Sequence, residues 1–320
     1  MTVDVNPGAS ATLSPDEAFD VLANETRLSI LRTLGEADEP LSFSELFDRT
    51  DYDSSGNFSY HLGKLEGHFV RKTDDGYDLS RAGFRVIVAV LSGAMTDDPV
   101  MERTPVETPC FLCGGEMEVN YRGENLGMYC TECGGTRGGS SATAHASDAS
   151  GADIVGRLYL PPAGLRGRTA TEILEAAEIW STSYGQALSR GVCPLCSAVV
   201  EQTVEACEDH DAAGGRCAAC DQRFGVTIHR DCTNCLVDMV SPFAQHLLSA
   251  TELIAFMSEH GIDPVAPNAF HFAKLEETIR SADPFEARFT FSADGDALTL
   301  TVGEDHSVAE ATRHPANRSV

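Results

Sequence analysis

Ten of the eleven cysteines in this 320-residue chain fall into five C-x-x-C pairs: Cys110/Cys113, Cys130/Cys133, Cys193/Cys196, Cys217/Cys220 and Cys232/Cys235. An odd total in a chain without the features of a secreted protein argues against a disulfide framework, whereas repeated C-x-x-C loops suit a tetrahedral metal. Each loop lets two sulfurs grip one side of a zinc ion. Sixteen residues separate Cys113 from Cys130, enough for a hairpin that brings the second pair opposite the first, as in a zinc ribbon. Four thiolates fill the tetrahedron and leave no open position for catalysis. A thioredoxin-type dithiol would need one pair at a helix start beside a βαβ unit, and these pairs come instead in matched sets.

The remaining cysteine, Cys207, has His210 three residues on, which makes a fourth knuckle in the second cysteine-rich segment. The order there is Cys193/Cys196, Cys207/His210, Cys217/Cys220 and Cys232/Cys235, with spacers of ten, six and eleven residues. Eight ligands make two zinc ions, so three are expected in the whole chain, or two if this segment binds only one through Cys193, Cys196, Cys217 and Cys220. Cross-bracing joins the first pair to the third and the second to the fourth, as in treble-clef modules; nesting joins the outer pairs and the inner pairs. The short six-residue spacer favours cross-bracing.

The formal charge of −26, from 49 acidic and only 23 basic residues, excludes a surface that is attracted to nucleic acid or anionic membrane as a whole. Any DNA contact must be local. Scarce lysine and abundant acid in a chain that is 42% hydrophobic point to a folded protein kept soluble in a high-salt, halophilic cytoplasm. No apolar run approaches the roughly 18 residues of a membrane span, and the start lacks a secretory signal, so no membrane partner is expected.

Before residue 110 there is no cysteine, and the pattern changes. Ser14-Pro15-Asp16-Glu17 starts a helix with a capping box and a Pro at its first position. A second helix fits residues 25 to 34, with Gly35 as a left-handed stop. Ser42-Phe43-Ser44-Glu45 opens a third. A fourth, over about 55 to 67, turns Phe58, Leu62 and Leu65 inward and leaves Ser55, Asn57, Ser59, Tyr60, His61 and Lys64 on or beside its outer face. Phe69-Val70-Arg71-Lys72 and Tyr77-Asp78-Leu79 flank a Gly-containing turn, which reads as a hairpin, and a last helix runs over about 81 to 95. This is the element order of a winged helix-turn-helix. Residues 54 to 85 hold five basic against four acidic side chains, so repulsion from DNA is lifted locally.

Asn24-Glu25-Thr26-Arg27-Leu28-Ser29-Ile30-Leu31 and Asn57-Phe58-Ser59-Tyr60-His61-Leu62-Gly63-Lys64-Leu65 resemble the two signature stretches of ArsR-like winged-helix transcriptional regulators, particularly archaeal ones. The tail resembles zinc-finger extensions found behind such domains in halophilic archaea. The resemblance implies that the fourth helix enters the major groove, that Asn57, Ser59, Tyr60, His61 and Lys64 face DNA, and that Arg71 and Lys72 lie on the wing near phosphates. Metal-sensing members carry cysteine on the helix before the recognition helix. Here that helix, Phe43-Ser44-Glu45-Leu46-Phe47-Asp48, has none, so no thiolate sensor sits in this domain.

The expected layout is α+β: an arm over 1–13, a winged helix over 14–95, a hinge over 96–108 carrying Pro99 and Pro105, a zinc ribbon over 109–135 and a flexible loop over 136–153. A helical segment with the cysteine-rich module (193–235) and a C-terminal helix plus β-hairpin then fills 154–302, and a disordered tail occupies 303–320. Trp180 reads as packing on a helix over 171–188. His229, His246, His260 and His271 lack partners at metal spacing. No phosphate loop, H-E-x-x-H or partnered nucleophile points to an enzyme. The expectation is a cytoplasmic DNA-binding regulator, homodimeric through the first and last helices of its winged domain, where Phe84, Ile87, Val88 and Leu91 form an apolar stripe. The alternative is a zinc-finger adaptor that binds other proteins of the transcription machinery.

Overall fold

A computed structural model describes residues 13–50, 52–133, 135–136, 154–212, 215–266 and 274–316. The chain divides into two compact units, residues 1–96 and 97–320. In the first, α1 (Pro15–Leu22) and α3 (Phe43–Arg49) both open on reciprocal capping boxes, Ser14/Glu17 and Ser42/Glu45. Between them α2 (Glu25–Gly35) starts at Asn24, whose side chain accepts from the Arg27 N–H. The next elements are α4 (Ser55–Leu65), β1 (Val70–Thr73), β2 (Gly76–Leu79) and α5 (Arg81–Leu91). Their core joins Ile30, Leu31 and Leu34 to Leu46, Phe58, Leu62, Leu65, Phe69 and Ile87. Phe43 and Phe47 meet the edge of Phe58 at ring separations of 5.5 and 5.2 Å. Two glycines permit close backbone approach. A Cβ on Gly76 (φ +139°) would lie 2.5 Å from the Leu41 carbonyl oxygen, and one on Gly83 would lie 2.1 Å from that of Phe69.

The second unit is built from three antiparallel sheets. The first consists of β3 (Met101–Val106), β4 (Met117–Arg122), β5 (Asn125–Cys130) and β6 (Ile154–Tyr159), paired in that order. Helix α6 (Ala170–Ser189), opened by a Thr169/Glu172 capping box, lays Ile173, Leu174 and Ala177 on Met117, Val119, Tyr121 and Leu126. The second sheet holds β7 (Val200–Ala206), β8 (Val226–Cys232) and β9 (Asp238–Pro242). After it come α7 (Phe243–His246) and α8 (Thr251–Glu259), then the third sheet of β10 (Lys274–Ala282), β11 (Phe285–Ala293), β12 (Asp296–Val302) and β13 (Val308–His314). A phenylalanine-rich core of Phe243, Phe256, Phe289 and Phe291 joins these last elements to Val226 and Ile228 of β8.

Several expectations are corrected. The hinge over 96–108 contains β3, which tolerates Pro105 because it is an edge strand. The tail over 303–320 contains β13, which pairs with β12 from Ala297↔His314 to Val302↔Val308 and turns the expected hairpin into a four-stranded sheet. Gly35 is not a left-handed stop; it is the last residue of α2, where a Cβ would meet Ile87 Cγ2 at 3.0 Å. The last helix of the first unit ends at Leu91 rather than near residue 95. Ile87 belongs to the core, whereas Phe84, Val88 and Leu91 are exposed. The expected arm over 1–13 and loop over 136–153, apart from residues 13 and 136, lie outside the described residues, as does His271.

Candidate functional site

Three clusters bring all twelve predicted ligands together in fours: Cys110, Cys113, Cys130 and Cys133; Cys193, Cys196, Cys232 and Cys235; Cys207, His210, Cys217 and Cys220. Within each, the ligand atoms lie within 4.8 Å of one another. Sulfurs bound at about 2.3 Å to one tetrahedral zinc stand about 3.8 Å apart. The measured separations fit that edge: 3.8 Å for Cys110–Cys133, 3.5 Å for Cys113–Cys130, 3.6 Å for Cys193–Cys235 and 3.4 Å for Cys196–Cys232. They are far longer than the roughly 2 Å of a disulfide. The donor sets therefore fit zinc.

Local backbone geometry explains how each pair forms a grip. After Cys113, Cys196 and Cys220 the chain turns through a positive φ, at Gly114 (79°), Ser197 (64°) and Asp221 (55°). That turn lets the N–H of Gly114, Ser197 or Asp221 donate to the carbonyl of Cys110, Cys193 or Cys217, at 2.7 to 2.8 Å. The first cysteine in turn donates to Gly115, Ala198 or Gln222 at 2.8 to 2.9 Å. Backbone N–H groups also aim at the sulfurs, among them Leu112 on Cys110, Gly115 on Cys113, Glu132 on Cys130 and Asn234 on Cys232, each at 3.4 Å. Such donors favour thiolates over thiols. At Cys217 the Asp211 N–H is the main cause that holds the thiol down to about 6.

The first site closes at the ends of β4 and β5, the hairpin anticipated between Cys113 and Cys130. The second segment is nested, not cross-braced, and the physical reason lies in its strands. Strand β7 follows the first pair and β8 leads into the last, and their pairing sets Val200 against Cys232. The outer knuckles thus meet at one end of the sheet. At the other end Ala206 faces Val226, and the Cys207 N–H donates to the Gly225 carbonyl, so the inner knuckles close a small loop of their own. Nesting also excludes a single ion held by Cys193, Cys196, Cys217 and Cys220. His210 offers Nδ1 at 3.5 Å from Cys220 Sγ, while its Nε2 lies 3.2 Å from the Arg223 carbonyl. An Nε2–H donated to that carbonyl leaves Nδ1 as the free lone pair, the arrangement a metal-ligating imidazole needs. Against this backdrop the isolated histidines join no cluster among the described residues: His229 meets Glu205 at 3.4 Å, His260 meets Asp296 at 3.2 Å, and His246 is half-buried.

On α4, Phe58, Leu62 and Leu65 are buried, and Ser55, Asn57, Ser59, Tyr60 and Lys64 are exposed. Tyr60 is 58% exposed; Lys64 Nζ stands 5.5 Å from its ring centre, and the Asn57 amide donates to the Tyr52 hydroxyl at 3.0 Å. His61 is half-buried against Tyr52 and Tyr60 with Nδ1 unpartnered. In the hairpin, Arg71 and Lys72 are exposed, Arg71 held by the carboxylate of Asp78 and Lys72 over the ring of Tyr77.

One feature of the second unit escaped the sequence reading. Strand β8 alternates inward residues at Val226, Ile228 and Arg230, so a guanidinium occupies a position where the two-residue period demands an apolar side chain. The run Val-Thr-Ile-His-Arg carried that signal. Trp180, read as packing, is 40% exposed on the wall of the same cavity that Arg230 lines.

Among the described residues no helix is long and apolar enough to cross a membrane. No curated protein and no solved structure matches the chain. Two families do. The domain of unknown function DUF7347 matches residues 15–90, over the helices and hairpin of the first unit, and DUF7351, also a domain of unknown function, matches residues 107–308. Because the second match spans more than half of the sequence and takes in all three metal clusters, the chain belongs to the DUF7351 family.

Proposed function

We propose that the protein is a sequence-specific DNA-binding transcriptional regulator, with an ArsR-like winged helix in its first unit and structural zinc at all three clusters of its second. The observation that carries this reading is the division of α4: its apolar residues are buried, while Ser55, Asn57, Ser59, Tyr60 and Lys64 stay exposed ahead of a short hairpin. Small hydrogen-bonding side chains suit base edges in a major groove, where an ordinary solvent face would carry Glu and Lys. Lys72 on the hairpin is a phosphate contact in this reading, and Arg71 becomes one by exchanging Asp78 for phosphate. The exposed stripe of Phe84, Val88 and Leu91 on α5, with Phe19 on α1, supplies the contact for a homodimer on double-stranded DNA. The zinc ions act as staples for modules with little core of their own.

A second reading, an adaptor for other proteins, draws on the apolar tips around one metal cluster, where Leu236 is 94% exposed and Leu195 and Val199 are also exposed. Footprinting of the full zinc-loaded chain on genomic DNA separates the two. The regulator protects limited sites, and Tyr60→Ala weakens that protection at least about tenfold, the effect of losing one base contact. Zinc content stays unchanged in that variant. Absence of any sequence-limited protection favours the adaptor.

A further inference from the structure

Arg230 is 2% exposed, on the inward face of the central strand β8. Its Nη1 donates to the Ser241 hydroxyl at 2.8 Å, and its Nε is buried without any hydrogen-bond partner. No carboxylate pairs with it among the described residues. The Arg230 charge reaches His246, whose own burial, together with that charge, pushes it down to about 4 and so keeps it neutral. A guanidinium stays protonated throughout the neutral range, so the side chain is a cation. A buried, uncompensated positive charge is costly, and it is conspicuous in a chain of net charge −26.

This charge is not sealed in apolar packing. Arg230 and Ser241 line a cavity of about 200 Å³ between β6, α6 and the β8–β9 edge. Along another wall stand Trp180, Tyr184 and Tyr159, with ring centres 5.4 Å apart for Trp180–Tyr184 and 6.1 Å for Tyr159–Tyr184. Arg157 and Glu178, of opposite sign, complete the charged lining. Flat aromatic walls with one buried cation are the chemistry of a site for a small aromatic anion, in which the rings take the apolar body and the guanidinium fork takes the charge.

We propose that this cavity is a binding site for a small aromatic carboxylate, with Arg230 as its counter-ion and Trp180 and Tyr184 as its stacking surface. Ser241 holds the guanidinium through Nη1, and the carboxylate accepts from the edge that this leaves free. The inference stands on the second unit alone and is independent of whether α4 reads DNA.

Trp180 is the single tryptophan of the chain, so its fluorescence reports on this cavity directly. The test titrates the zinc-loaded full chain with phenylacetate and, separately, with phenylacetamide, which has nearly the same shape and no charge. The expected result is a saturable change in Trp180 emission with phenylacetate and at least about tenfold weaker binding of the amide. Arg230→Met, checked for three bound zinc ions and a cooperative unfolding transition, loses the preference for the acid. No saturable response to phenylacetate, equal binding of acid and amide, or an acid preference retained in Arg230→Met overturns the proposal. The comparison of acid with amide needs no variant and holds even if Arg230→Met fails to fold.

Discussion

His210 owes its place in a cluster to three neighbours. The Arg223 carbonyl occupies Nε2, Cys220 lies beside Nδ1, and Gly225 leaves room for the ring, since a Cβ there would come within 2.6 Å of His210 Cγ. The imidazole is thus placed and oriented as a ligand would be, which its three-residue spacing from Cys207 only suggested. His210→Cys keeps four ligands and all three zinc ions. His210→Ala leaves a three-sulfur site that yields its ion to a chelator at least about tenfold more readily, as metal release followed with a chromogenic chelator reports; unchanged release would remove His210 from the ligand set. Ligand identity was legible in the sequence because C-x-x-C spacing reflects a local backbone turn. Arg230 was missed because a lone arginine carries no such spacing, and its meaning rests on strand phase and on a carboxylate that never arrives.

Among the elements, two of the strands that were missed, β3 and β13, have no legible apolar face. Strand β13 is exposed along nearly its whole length, and β3 carries Glu102, Arg103 and Pro105; an edge strand needs only backbone pairing, which leaves no hydrophobic alternation to read. Strand β10 turns Leu275 and Ile279 toward the core, and Glu277 occupies the same phase between them. Its Oε2 accepts from the Gly225 N–H at 2.7 Å, and its Oε1 is buried without a partner. Desolvation pushes this carboxyl up to about 7, so the folded protein holds the proton more tightly than the unfolded chain. The resulting stability is fully present below pH about 4.5 and is lost as pH rises through about 7. Glu277→Gln keeps the shape without the charge, and its stability relative to the parent increases by about 2–3 kcal/mol between pH 5 and pH 8. Urea unfolding of both zinc-loaded proteins at each pH measures this, and a pH-independent difference would contradict it. The comparison at a single pH cancels the proton linkage of the zinc sites.

Across the whole molecule, apolar packing and clustered metal-ligating side chains divide the work of specifying a fold. The first unit builds an ordinary core from capped helices around Phe58 and Leu31 and holds no cysteine. The second distributes eleven cysteines and one histidine over three clusters, and two of these clamp opposite ends of the β7–β8 pair. The number of four-ligand clusters was readable from the sequence; their connectivity was not, because a six-residue spacer permits either pairing and only the β7–β8 register selects between them. The most direct test is native mass spectrometry of the full chain and of the quadruple variant Cys207→Ser/His210→Ala/Cys217→Ser/Cys220→Ser, which empties one site of a nested pair and both sites of a cross-braced one. Nested, independent sites predict three zinc ions in the parent and two in the variant, since Cys193, Cys196, Cys232 and Cys235 keep theirs. A variant that falls to a single ion, or a parent that carries fewer than three, would contradict the arrangement described for the second unit.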